Sequence, residues 1–195
     1  REDTMIDDTD EYRELVAKAR ETNLADVEVL GHLDVSHKDA LGRPLVVVYG
    51  RRLTIREVNM QNVFLHYIRE MDEIASDDYT LVYFNSKVTR ANLPSTGWLI
   101  HMYRKLPYRY RKNVAHFSIV HPSFSTRFLV YTMYPFLSSK AWKKLHFSDH
   151  PDELFLDGLV ARGVIEIPKE AEEEQKDTEE YLKATQKAFE QGLMR

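Results

Sequence analysis

Apolar positions along this chain keep two rhythms, and the two alternate. PLVVVY (Pro44–Tyr49), YTLVYFN (residues 79–85), VAHFSIVHP (114–122) and KKLHFSD (143–149) are short runs rich in apolar residues. Runs of that length and composition predict strands, and the most apolar of them predict strands buried on both faces. Between them the apolar residues recur every three or four positions. Val63, Phe64, Tyr67, Ile68, Met71 and Ile74 mark one amphipathic helix. Trp98, Leu99, Met102, Tyr103 and Leu106 mark another, which opens near Pro94 and is ended or kinked by Pro107. An earlier helix is predicted from about Glu11 to Thr22, with Asp8 or Thr9 as its cap and a narrow stripe of Leu15, Val16 and Ala19. PDELFLDGLV (151–160) reads as a short helix and GVIEIP (163–168) as a short extended end. Strands alternating with helices long enough to cross over predict an α/β fold, a mostly parallel sheet flanked by helices.

The third predicted strand runs into a helix dense in aromatics, from about Ser123 to Leu137. Phe124, Phe128, Tyr131, Tyr134 and Phe136 fall within roughly four helical turns. Phe124, Phe128 and Phe136 lie on one line, with Leu129, Met133 and Leu137 beside it. One face can cover the sheet. Each large side chain that the other face leaves in water forgoes roughly 1.5–3 kcal/mol, so that face is expected to be covered. The segment is no membrane span, because His121, Pro122, Ser123, Ser125 and Arg127 interrupt an apolar stretch that would need about 20 residues.

Charge changes the picture more than composition does. The net charge of -4 conceals acidic ends and a basic middle. Residues 1–28 hold ten acids and four bases, and residues 149–195 hold thirteen acids and six bases. Between Asp78 and Asp149 there are eleven bases and not one acid. Tails and core elements can solvate themselves in this way; alternatively, the middle forms a basic face for an anionic partner or for the chain's own ends. With 195 residues, one domain with extensions is expected. The absence of cysteine excludes disulfides and thiolate chemistry and suits the cytosol. The chain opens at Arg1 without a signal peptide and is expected to be a piece of a longer protein. From Lys169 the Glu/Lys-rich tail carries only the thin stripe Leu182, Thr185, Phe189 and Leu193, as a mostly solvated helix or linker would.

The residues point away from catalysis. The seven glycines form no phosphate loop, and there is no nucleophile elbow. The eight histidines have no metal-like spacing, so neither metal nor cofactor is expected. His121 stands at a strand end, where α/β sites collect, but a histidine there also locks a strand–helix turn by hydrogen bonds. Tyrosines interleaved with arginines in YRKLPYRYRKN (103–113) can stack bases, yet no nucleic-acid module surrounds them and the sequence pI is near 6.1. They read better as a helix end where cations complement the dipole.

Taken in order, YTLVYFN, LPSTGWL, YRKN before a strand, and IVHPS followed by an aromatic helix ending in PFLSSK closely resemble the BCH domain. That domain is a branch of the CRAL-TRIO lipid-binding superfamily found in Rho GTPase-activating proteins and in scaffold proteins. The resemblance covers about residues 30–168, with 1–29 as an acidic segment bearing a short helix and 169–195 as a charged helical linker. It implies a cytoplasmic adaptor, with peripheral membrane contact allowed, that is no catalyst itself. It further implies self-association, by domain swapping among other routes, and binding of a Rho-family GTPase next to a separate GTPase-activating domain. Arg51, Arg52, Lys87, Arg90, Arg104 and Lys105 are then candidate contacts to the acidic surface of the GTPase. Phe124, Phe128, Leu129, Met133, Phe136 and Leu137 are candidates for an apolar groove or dimer face, to be covered by a lipid chain, a second copy or a prenylated GTPase tail. The alternative is a lipid or phosphoinositide carrier that uses the same helix as a gate. Here the helical lobe of the lipid-transfer relatives is shortened to residues 1–30.

Overall fold

A computed structural model describes residues 9–136, 139–156 and 158–190. Helices α1 (Asp10–Glu21) and α2 (Ala25–Glu28) precede strands β1 (Leu33–Lys38) and β2 (Pro44–Tyr49). Then follow α3 (Met60–Met71), β3 (Tyr79–Phe84), α4 (Thr96–Lys105), α5 (Tyr108–Lys112) and β4 (Val114–Val120). The chain continues through α6 (Phe124–Met133), α7 (Ser139–Trp142), β5 (Leu145–Ser148), α8 (Glu153–Leu156) and α9 (Lys169–Glu190). The strands form one five-stranded sheet in the order β1-β2-β3-β4-β5. β1 runs antiparallel to β2, and every later pairing is parallel.

The mostly parallel sheet is therefore as expected, with an added antiparallel edge. LDVSHK gives little warning of that edge, since it alternates weakly and stays half-exposed. Asp39 fixes its turn. Its carboxylate accepts the Arg43 Nε–H at 2.6 Å and the Thr80 hydroxyl at 2.7 Å, which staples the β1–β2 hairpin to β3.

Local chemistry sets the helix boundaries. Thr9 caps α1, Asn59 caps α3, Ser95 caps α4 and Ser123 caps α6, each accepting a first-turn backbone N–H. Pro107 splits the predicted helix into α4 and α5.

A chain that steps one strand at a time in one direction must keep its right-handed crossovers on one face. That face packs Val46 and Val48 against Phe64 and Ile68 of α3, Met102 of α4 and Tyr110 of α5, with Tyr12 and Ala19 of α1 joining them. Tyr12 and Tyr110 share a hydroxyl–hydroxyl hydrogen bond of 2.7 Å that ties α1 to α5. On the opposite face Leu45, Val47, Tyr49, Val82, Phe84 and Val120 meet Leu154, Val160, Ile165 and Ala171. Alternate residues of β2 thus enter different cores, which is why its sequence is apolar without a break.

Candidate functional site

The carboxyl ends of the parallel strands gather the loops 50–59, 85–95, 121–123 and 149–152 along one edge, where ligands bind in open α/β sheets. Four polar side chains set this edge. Asn85 donates to the His121 carbonyl at 2.8 Å and accepts the Thr126 hydroxyl at 2.6 Å. Ser86 Oγ meets His121 Nδ1 at 2.8 Å. His121 adopts φ +51 and donates its backbone N–H to Ser148 at 2.8 Å. Burial holds its imidazole below the ordinary histidine range. The histidine therefore locks the turn from β4 into α6.

Asn92 is the fourth, and it is buried. It accepts the Thr89 N–H and hydroxyl at 3.0 and 2.9 Å and donates to the carbonyls of Arg51 and Leu53 at 3.0 and 2.9 Å. Arg51 in turn donates to Asn92 Oδ1 at 3.2 Å. One amide thus stitches the loop after β3 to the turn after β2, and so brings Arg90 to the same rim as Arg51 and Arg52. Arg52 lies 4.0 Å over the Tyr49 ring and donates to the Gly31 carbonyl at 2.9 Å. Gly50 is required here, because a side chain on it would run into the Tyr83 ring.

Of the six cations singled out in the sequence, Arg51, Arg52, Lys87 and Arg90 share this edge. Arg104 and Lys105 do not. They occupy the last turn of α4, where Lys105 pairs with Glu11 of α1 at 2.9 Å. Asn92 escaped the sequence reading; a lone asparagine in a loop carries no signal until its partners are known.

Helix α6 presents the second feature. Phe124, Phe128, Tyr131 and Tyr134 are 85%, 62%, 55% and 53% exposed. Their spacing of four, three and three makes one continuous outward line. Within the described chain this face stays open to solvent. Tyr131 and Tyr134 lean on Trp142 of α7, with ring centroids 5.7 and 5.0 Å apart. Leu129 and Met133 are half-buried on the flank. The Phe136 side chain and all of Leu137 lie outside the described residues.

Two of the depressions on the described surface are unsuited to a lipid chain. One, about 530 Å³, is open and polar, lined by Arg43, Ser76, Asp77, Asp78 and Asn113 at the opposite, amino end of the strands. The other lies between Arg51, Arg52, Phe84 and Pro168 and has room for about 10 Å³, at the threshold for one water. Among the described residues, no three metal-ligating side chains come together and no helix is long and apolar enough to cross a membrane.

Comparisons with known proteins bear on the family and the fold. A Rho GTPase-activating protein from Dictyostelium discoideum, gacY, is 35% identical over 145 residues, which is 74% of this chain and 20% of that protein. The GDAP2 homologue of Drosophila melanogaster is 31% identical over 163 residues, 84% of this chain and 30% of that protein. The chain thus spans less than a third of these relatives. The crystal structure of Sfh5 superposes with a TM-score of 0.53 at 13% identity, over 86% of this chain and 71% of that one, a likeness of fold. The profile described as "Divergent CRAL/TRIO domain" matches residues 42–177. From β2 into α9, this chain belongs to the divergent CRAL/TRIO domain family.

Proposed function

We propose that this chain is a binding module that holds a Rho-family small GTPase, self-associates, and regulates a GTPase-activating domain carried elsewhere in a longer protein. The observation that carries the reading is the cationic rim, where Asn92 ties the turn that bears Arg51 and Arg52 to the loop that bears Lys87 and Arg90. Cations preorganised in this way suit a partner with an acidic surface, whose approach they would also steer. The relative named as a Rho GTPase-activating protein supports the choice of partner. The aromatic line on α6 supports self-association: a second copy would cover it through an isologous contact, each α6 facing the other. Cytoplasmic residence follows from the partner, and a prenylated GTPase would bring the module to the membrane surface.

The test is light scattering and titration calorimetry with prenylated and unprenylated Rho-family GTPase. A dimer that shifts to a larger complex is expected. Arg51→Glu with Arg52→Glu should weaken the complex roughly tenfold or more, whereas Arg104→Glu with Lys105→Glu should leave it within about twofold. Equal loss from both pairs would remove the rim from the reading. A monomer that ignores the GTPase but carries a co-purified lipid would replace the reading with that of a lipid carrier.

A further inference from the structure

Helix α9 lays carboxylates along the cationic rim. Glu170, Glu174 and Asp177 recur at i, i+4 and i+7, one face of a helix. Glu170 lines the same narrow crevice as Arg51 and Arg52. Glu174 Oε2 accepts the Lys87 backbone N–H at 2.6 Å, and Asp177 pairs with Lys87 Nζ. Lys87 adopts φ +52, uncommon for a residue with a side chain, and in that conformation its N–H meets Glu174. Asp177 holds the Lys87 ammonium above its ordinary range.

The helix is fastened at one end. Ala171 is buried in the core on the second face of the sheet, whereas residues 176–184 are exposed. Past Gln175, the contact between α9 and the rim is an exposed ion pair, and such pairs are weak and screened by salt.

We propose that α9 is an internal competitor for the rim: Glu174 and Asp177 occupy Lys87, which an acidic partner needs, and a docking partner displaces the helix from about Glu174 outward while Ala171 stays fixed. This rests on the reading of the rim as the GTPase contact. It also states what the partner must offer, namely carboxylates spaced to replace Glu174 and Asp177. Occupancy of the rim is then reported as freedom of the outer turns of α9.

Spin labels test it, because a chain without cysteine accepts single sites cleanly. Labels at Gln61→Cys on α3 and Glu180→Cys on α9 should give one narrow distance distribution in the free protein. Glu174→Gln with Asp177→Asn should broaden it, and so should saturating unprenylated Rho-family GTPase on the unmodified helix. The same double substitution should tighten GTPase binding about three- to tenfold. GTPase that binds both forms equally and leaves the distribution narrow overturns the proposal. GTPase that binds neither form overturns the competition together with the reading beneath it. In that case the distribution of the double variant separates the two failures, since it reports the α9–rim contact with no partner present.

Discussion

Helices α3 and α6 do the same topological job and treat their side chains in opposite ways. Each carries the chain between neighbouring parallel strands on one face of the sheet. Helix α3 buries Val63, Phe64, Leu65, His66, Ile68 and Met71. Helix α6 buries Thr126 and leaves Phe124 and Phe128 largely in water. Both are rich in apolar residues, so composition does not separate them. The difference is what lies outside: α1 packs on α3 and completes its core, whereas within the described chain nothing covers Phe124 or Phe128. A central helix has both faces assigned by its own fold. A helix near the sheet edge keeps one face for something else.

Truncation should expose the contrast most sharply. Ile68→Ala opens a cavity in a fully buried site and should cost about 3–4 kcal/mol. Phe124→Ala removes a larger side chain and should change stability by no more than about 0.5 kcal/mol. Urea denaturation of the two variants decides the matter, and equal losses would mean that Phe124 has a covered environment in solution.

Acid should act on the α3 side next. His32 is fully buried against His66 and Tyr67, with ring centroids 5.4 and 5.5 Å away. Burial, helped by the nearby His66, pushes its imidazole down from 6.5 to about 4. Between those two values the unfolded chain binds the proton and the folded chain does not. Stability therefore falls as the pH drops through that window, by roughly 3 kcal/mol for this group. His121, under α6, is also held low by burial, but Ser86 gives its ring a hydrogen-bonding partner. Urea midpoints at pH 7 and 4.5 should show the loss, and His32→Phe should flatten that part of the profile.

The same contrast explains how much the sequence could reveal. Val63, Phe64, Tyr67, Ile68 and Met71 announce α3 because their period and their burial coincide. Strand β2 is legible end to end, since its unbroken apolar run reports two covered faces. The aromatic helix is legible as a helix, but its outward line is not. Periodicity says which residues share a face and never which face has a neighbour. The cationic rim was half legible: Arg51, Arg52, Lys87 and Arg90 come together because strand ends align, a matter of topology. Arg104 and Lys105 have the same chemistry and fall at the other end because α4 runs back along the sheet. Asn92 and the antiparallel β1 left almost no periodic signal, because one acts through hydrogen bonds and the other lies half-exposed at an edge.

A charge on the outward line of α6 should separate folding from association. Phe128→Asp places a carboxylate where the ring is already mostly solvated, so the urea midpoint should barely move. If two copies meet through α6, the same carboxylate would be buried in their interface, and the dimer should weaken about tenfold or more. Light scattering across a dilution series reads this directly. A dimer that survives Phe128→Asp unchanged would place self-association on another surface and leave the aromatic line to a different partner.

The smallest expected effect should be the same for both helices, and for that reason it sharpens the comparison. Asn59 Oδ1 accepts the Gln61 N–H at 2.9 Å to cap α3, and Ser123 Oγ accepts the Thr126 N–H at 3.2 Å to cap α6. A cap satisfies first-turn amides that the helix cannot satisfy itself, whichever face lies against the core. Asn59→Ala and Ser123→Ala should therefore each cost about 1 kcal/mol. Similar losses would show that α6 is held as a helix as firmly as α3, so that its exposed aromatics belong to a formed element presenting a face. A Ser123→Ala loss near zero would instead mean that the first turn of α6 contributes little in the free protein, and the contrast with α3 would then lie in the helix itself rather than in what covers it.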